Sequence, residues 1–101
     1  MQTQVTFRHT PSSPELTDAA NEAVAKFEKY YDSITNTDVI FTQDVTCIVE
    51  IFVQVHGSTL IAKEESEDFT KSLNLATDKV IRQLKKQKTK DTRFKTEGIE
   101  F

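Results

Sequence analysis

A chain of 101 residues and 11.5 kDa, 37% hydrophobic and 29% charged, has room for one domain and too few residues for two cores. No apolar run approaches the ~20 residues that cross a bilayer, and the start MQTQVTFRHT shows neither the basic nor the apolar region of a secretory signal. One cysteine, two glycines and two prolines exclude a disulfide framework, a multi-cysteine metal site and a glycine-rich nucleotide loop, and make a reducing cytosol the expected setting.

Charge is distributed unevenly along the chain. The net charge is −3, yet residues 1–78 hold five basic and thirteen acidic side chains, while residues 79–101 hold eight basic and three acidic. An acidic body therefore carries a basic C-terminal segment, an asymmetry that points to a polyanion-binding element.

Val5 and Phe7 alternate with polar neighbours, which predicts a half-buried strand over about residues 2–8. Ser13 is then a fitting N-cap, with Pro14 at the first helical position and Glu15 in the first turn. Leu16, Ala20, Ala23, Val24, Phe27, Tyr30 and Tyr31 recur at helical spacing, so a first helix should run to about Asp32 with these residues on its buried face.

The middle of the chain is β. Val39 and Phe41 mark a strand over about 37–43, followed by a turn at Gln43-Asp44. In TCIVEIFVQVHG, residues Cys47, Val49, Ile51, Val53 and Val55 fall on one face, with Ile48, Glu50, Phe52, Gln54 and His56 opposite. Gly57-Ser58 predicts a hairpin turn, and Leu60 and Ala62 continue the inward face of a strand to about Glu64. Short turns make these three strands an antiparallel meander, and the first strand completes a four-stranded sheet.

A second helix opens at SEDF, with Ser66 as its expected cap and Phe69, Leu73, Ala76, Val80 and Leu84 as its apolar stripe. The expected architecture is one α+β domain over residues 1–90, ordered β-α-β-β-β-α, with both helices on one face of the sheet. This layout is similar to that of a double-stranded-RNA-binding domain. Residues 91–101 read as a charged tail.

Nothing in this pattern favours catalysis. Strand alternation aims Cys47 at the core, where thiols are inert, and His9 and His56 lack partners at metal-ligand spacing. Glu64, Glu65, Glu67 and Asp68 cluster where the second helix begins, so the helix dipole accounts for them better than an acid–base pair does. No metal, cofactor or small-molecule substrate is expected.

The basic residues of the second helix are different. Lys79, Arg82, Lys86, Lys90 and Arg93 follow +3 and +4 spacing and share one stripe, about 120° from the apolar stripe. Lys85 stands beside them, and the run from Lys79 to Lys90 contains no acid. Neighbouring like charges repel by a few tenths of a kcal/mol per pair, so helix stability does not explain this uniform sign. The pattern favours a polyanionic partner over a merely solvated face.

On the opposite face of the sheet Ile40, Ile48, Phe52 and Ile61 fall on neighbouring strands. They form either a protein contact surface or a patch covered by long polar neighbours or by the tail that carries Phe94, Ile99 and Phe101.

MQ-x-x-V-T at the start, FEKYYD closing the first helix, V-x-V-H-G-x-T-L-x-A across the hairpin, ESEDF, and ATDKVIRQLKKQK near the end together resemble the short ribosome hibernation-promoting factors, the ribosome-associated inhibitor and light-repression family of bacteria and plastids. The likeness covers nearly the whole chain, and the family's element order is the one expected above. It implies a stationary-phase or stress factor that binds the small ribosomal subunit in the channel for messenger RNA and transfer RNA, in the cytoplasm or the plastid stroma. It also implies contacts from basic side chains on both helices to rRNA phosphates. On this sequence those are Lys79, Arg82, Lys85, Lys86 and Lys90 on the second helix and Lys26 and Lys29 on the first. The short form, without the C-terminal dimerisation domain of longer members, is expected. Two other readings stay open: a protein-interaction module using the outer sheet face, and a generic structured-RNA binder.

Overall fold

The computed structural model describes the backbone of residues 2–100 and the side chains of residues 2–87. Its elements are β1 (Gln2–Arg8), α1 (Pro14–Tyr30), β2 (Ile34–Gln43), β3 (Cys47–Val55), β4 (Ser58–Ser66) and α2 (Phe69–Glu100). The sheet order is β1-β2-β3-β4. Because α1 carries the chain back before β2 begins, β1 and β2 pair parallel; the tight turns that follow make the β2–β3 and β3–β4 pairs antiparallel. The expected β-α-β-β-β-α fold is therefore present, with a mixed sheet. The division between a domain and a tail at residue 90, and the apolar tail residues Phe94, Ile99 and Phe101, lie outside the described side chains.

Both helices cover one face of the sheet, α1 over β1 and β2 and α2 over β3 and β4. The rows under them follow from the register: Val5–Val39–Ile51–Ala62 and Phe7–Phe41–Val49–Glu64. Against these rows α1 buries Ala20, Ala23, Val24 and Phe27, and α2 buries Leu73, Ala76, Val80 and Leu84. Phe41 anchors the middle, stacked on Phe7 at 5.1 Å between ring centroids and meeting Phe69 edge-on at 5.5 Å. Truncating a buried ring such as Phe27 to alanine should cost about 3–5 kcal/mol.

Ser13 caps α1 as expected, its Oγ accepting from Leu16 N–H at 3.3 Å. Several boundaries differ from the sequence expectation. Tyr31 leaves the helix in an extended conformation (φ −156°, ψ 120°), so α1 ends at Tyr30 rather than near Asp32; Tyr31 is buried, whereas Tyr30 is 36% exposed. The second strand starts at Ile34 instead of about 37, through an irregularity between Ile34 and Asn36 where Thr35 Oγ1 donates to the Gln54 carbonyl. The β3–β4 turn is His56-Gly57, one residue earlier than expected, since Ser58 already pairs with Val55. Gly57 takes φ +80°, a conformation that favours glycine.

The entry to α2 is also corrected. β4 continues to Ser66, so Ser66 is the last strand residue and not the helix cap. Asp68 takes that role: its Oδ1 accepts from Lys71 N–H at 2.7 Å. Ser66 Oγ instead donates to the Asp68 carbonyl at 2.7 Å and lies 2.7 Å from Ser72 Oγ. The buried Ser72 donates to the Cys47 carbonyl at 2.6 Å, which ties the first turn of α2 to the start of β3. Farther along, Gln83 Nε2 donates to the Ile61 carbonyl at 2.9 Å, occupying part of the open edge of β4.

Candidate nucleic-acid interface

Burying Ala76, Val80 and Leu84 fixes the rotation of α2 about its axis. That rotation turns Lys79, Arg82, Lys85 and Lys86 outward, and all four are exposed. Lys90 and Arg93, the remaining members of the expected stripe, lie outside the described side chains.

The cations have different surroundings. Lys79 Nζ donates to Glu64 Oε2 at 3.0 Å. Lys85 reaches to the end of α1, where its Nζ stands 5.3 Å from the centre of the Tyr30 ring. Among the described residues no carboxylate lies within ion-pair distance of Arg82 or Lys86. On α1, Lys26 precedes Tyr30 by four residues and so occupies the same flank, on the side facing α2. Lys29 is exposed in the last turn, where a cation is favoured by the helix dipole. The structure thus brings Lys85 to the flank of α1 that holds Lys26, leaves Arg82 and Lys86 open to solvent, and draws Lys79 toward the sheet.

Two residues in this picture escaped the sequence reading. Tyr30, expected in the core, is a surface ring under a lysine. Glu64, grouped with the helix-dipole acids although the fourth strand was expected to reach it, pairs with Lys79 from β4, and only Asp68 of that cluster caps the helix; Glu65 accepts from Thr46 Oγ1 at 3.2 Å. Glu64 lines an open hollow of about 170 Å³ with Leu75, Asp78, Lys79 and Arg82. That is below the roughly 300 Å³ at which small-molecule sites begin.

Cys47 is also corrected. It follows the inward alternation of β3, but at the strand's first position it is only half-buried, its thiol donating to Gln43 Oε1 at 3.5 Å and the Glu67 carbonyl at 3.6 Å. His9 and His56 are both exposed. Among the described residues no three His, Cys, Asp or Glu side chains converge as a metal site requires, and no helix is long and apolar enough to cross a membrane.

On the outer face of the sheet, Phe52 and Ile61 are direct cross-strand partners, Ile40 lies diagonal to Phe52, and Ile48 lies diagonal to Ile40. Ile61 is 54% exposed; the other three are half-buried among Asp38, Glu50 and Lys63.

Residues 3–92 match the family described as sigma 54 modulation protein / S30EA ribosomal protein, a span that takes in every candidate cation except Arg93. The chain belongs to this family. It is 34% identical to a ribosome hibernation promoting factor of Pseudomonas putida over 91 residues, 89% of each chain. It is 33% identical to the Escherichia coli ribosome hibernation promoting factor over 86 residues, 80% of this chain and 90% of the relative. The fold superposes on a ribosomal subunit interface protein of Coxiella burnetii with a TM-score of 0.82 at 31% identity, covering 88% of this chain and 99% of the other. The N-terminal domain of Thermus thermophilus Protein Y shares the fold alone, with a TM-score of 0.76 at 20% identity. The four-stranded sheet and its two helices are thus shared with these structures, and in this chain they hold α2 with Lys79, Arg82, Lys85 and Lys86 outward.

Proposed function

We propose that this chain is a ribosome hibernation factor of the cytoplasm. It binds the small ribosomal subunit through rRNA phosphates and lies in the channel that messenger RNA and transfer RNA would occupy. The observation that carries this reading is the outward flank of α2, where Arg82, Lys85 and Lys86 project from a helix clamped on the sheet, with no acid in the helix from Lys79 to Gln87. Lys26, on the Tyr30 flank of α1, extends the same cationic surface, Lys29 stands exposed in the last turn of that helix, and relatives named for ribosome hibernation share most of the chain's length. Phosphate contacts position a protein without reading bases, and RNA shape then selects the site. Blocking a channel this way needs a rigid body and a complementary charge, not a catalytic group, so the role is non-enzymatic.

Sucrose-gradient sedimentation with purified small subunits tests the reading, followed by translation assays with added protein. Co-migration with the small subunit and inhibition of initiation are expected. Binding without any inhibition at saturation would remove the channel-blocking mechanism. Failure to migrate with the subunit would favour a protein-interaction module built on the Phe52–Ile61 face.

A further inference from the structure

The position of Glu64 is unusual for the sheet it belongs to. In the register it continues the row Phe7–Phe41–Val49, on the face that the helices cover. Its three row-mates are aromatic or aliphatic, and the preceding inward residue of β4, Ala62, is buried. A carboxylate at the end of this row gives up solvent without serving the core, since its side chain is only 29% exposed. The partner it finds is Lys79, 3.0 Å away, whose side chain is 51% exposed. Arg82 and Asp78 line the same hollow.

We infer that Glu64 is an intramolecular competitor for the polyanion, holding Lys79 back from phosphate and so setting the affinity of the α2 surface below what its cations could supply. The inference rests on the reading of α2 as a phosphate-binding helix and adds a residue that tunes it. Phosphate and the Glu64 carboxylate seek the same ammonium group. When Lys79 turns to RNA, the pair is broken and Glu64 is left as a bare negative charge near the nucleic acid. Lys79 then adds little to binding, because what it gains from phosphate it loses from Glu64. The same exchange acts on the salt dependence. Each cation that neutralises a phosphate releases a counterion, but a freed carboxylate takes one up, so Lys79 contributes almost nothing to the slope while Glu64 is charged.

The test compares the native chain with Glu64→Gln, Lys79→Gln and the double variant. Each is titrated against purified small ribosomal subunits and eluted from immobilised heparin over a range of salt, with circular dichroism to verify folding. Glu64→Gln keeps the side-chain shape and removes the charge. It should tighten binding by about 1.5- to 5-fold, the range that exposed ion pairs span. It should also steepen the log–log salt slope by about 0.7–0.9, one added phosphate contact. Lys79→Gln should be nearly silent in the native background and weaken binding by a similar factor in the Glu64→Gln background. Unchanged or weaker heparin binding by folded Glu64→Gln overturns the role given to Glu64, and the ribosomal reading survives if the native chain still binds subunits. Later heparin elution of Glu64→Gln, with neither protein binding subunits, sustains the competition and overturns the ribosomal reading instead.

Discussion

Lys85 of α2 extends its ammonium group over the face of Tyr30, the last residue of α1, at 5.3 Å from the ring centre. The contact joins the end of α1 to the middle of α2, and it fixes one cation at their junction. A long lysine side chain normally samples many rotamers. Held against a ring, it presents its charge from a narrower set of positions, which lowers the ordering cost of any contact made there.

Replacing Tyr30 with leucine should therefore lower stability modestly, by about 0.5–1 kcal/mol, the range for a cation over an exposed ring. A domain of this size should lose roughly 2–8 °C in Tm. The check is a thermal double-mutant cycle with Lys85→Met. A coupling energy indistinguishable from zero would mean that the two side chains are neighbours without mutual attraction.

A second prediction concerns the interior. Thr77 lies in the buried part of α2, and among the described residues its hydroxyl oxygen has no hydrogen-bond partner. Burying an unpaired hydroxyl costs about 1–3 kcal/mol, whereas a methyl of the same shape belongs there. Thr77→Val should raise stability by about 1 kcal/mol, with the slight difference in helix propensity a minor offset. Urea unfolding measures it; a drop in midpoint would show that the hydroxyl is satisfied in solution.

The fold was legible in the sequence because its core depends on local periodicity. The alternation in TCIVEIFVQV and the stripe from Phe69 to Leu84 place their residues inward wherever the partner strands and helices lie. Ser13 was legible for the same reason, as one polar residue immediately before a proline. SEDF was ambiguous: it offers two capping residues, and the choice of Asp68 over Ser66 depends on β4 continuing to Ser66, where it pairs with Cys47. Tyr30 sits at the rim of α1's apolar face, and spacing alone does not reveal that the chain turns extended one residue later. The pairing of Glu64 with Lys79 was the least accessible feature. It joins residues fifteen apart on different elements, and only the placement of α2 on β4 determines which cation meets the strand's end.

Salt dependence should report the number of cations that reach phosphate. Among the described side chains, Arg82, Lys85, Lys86, Lys26 and Lys29 are available, while Lys79 is offset by Glu64. Five contacts give a log–log slope on the order of −3.5 to −4.5. Titration of small subunits from low to moderate salt measures it. A steeper slope would bring in cations beyond Gln87, such as Lys90 and Arg93, and a slope near zero would exclude phosphate contacts as the source of affinity.

The most discriminating substitution is a charge reversal at Arg82 and Lys86. Both side chains are exposed and four residues apart on α2, away from the stripe that buries Val80 and Leu84. Glutamate at these positions opens no cavity, and exchanging like charges for mixed ones along the helix changes its stability by only a few tenths of a kcal/mol. Binding should respond very differently. Two phosphate contacts are lost and two negative charges now face the RNA, so pelleting with small subunits should fall by at least about tenfold at moderate salt. Lys26→Glu on α1 serves as the control. Its neighbours Glu22 and Glu28 already dilute the positive field there, and a weaker effect is expected. Circular dichroism melting of all three proteins separates loss of binding from loss of fold. A double variant that melts like the native chain and still pellets would show that the flank of α2 is merely solvated, and would move the search for the partner to Phe52 and Ile61 on the opposite face of the sheet.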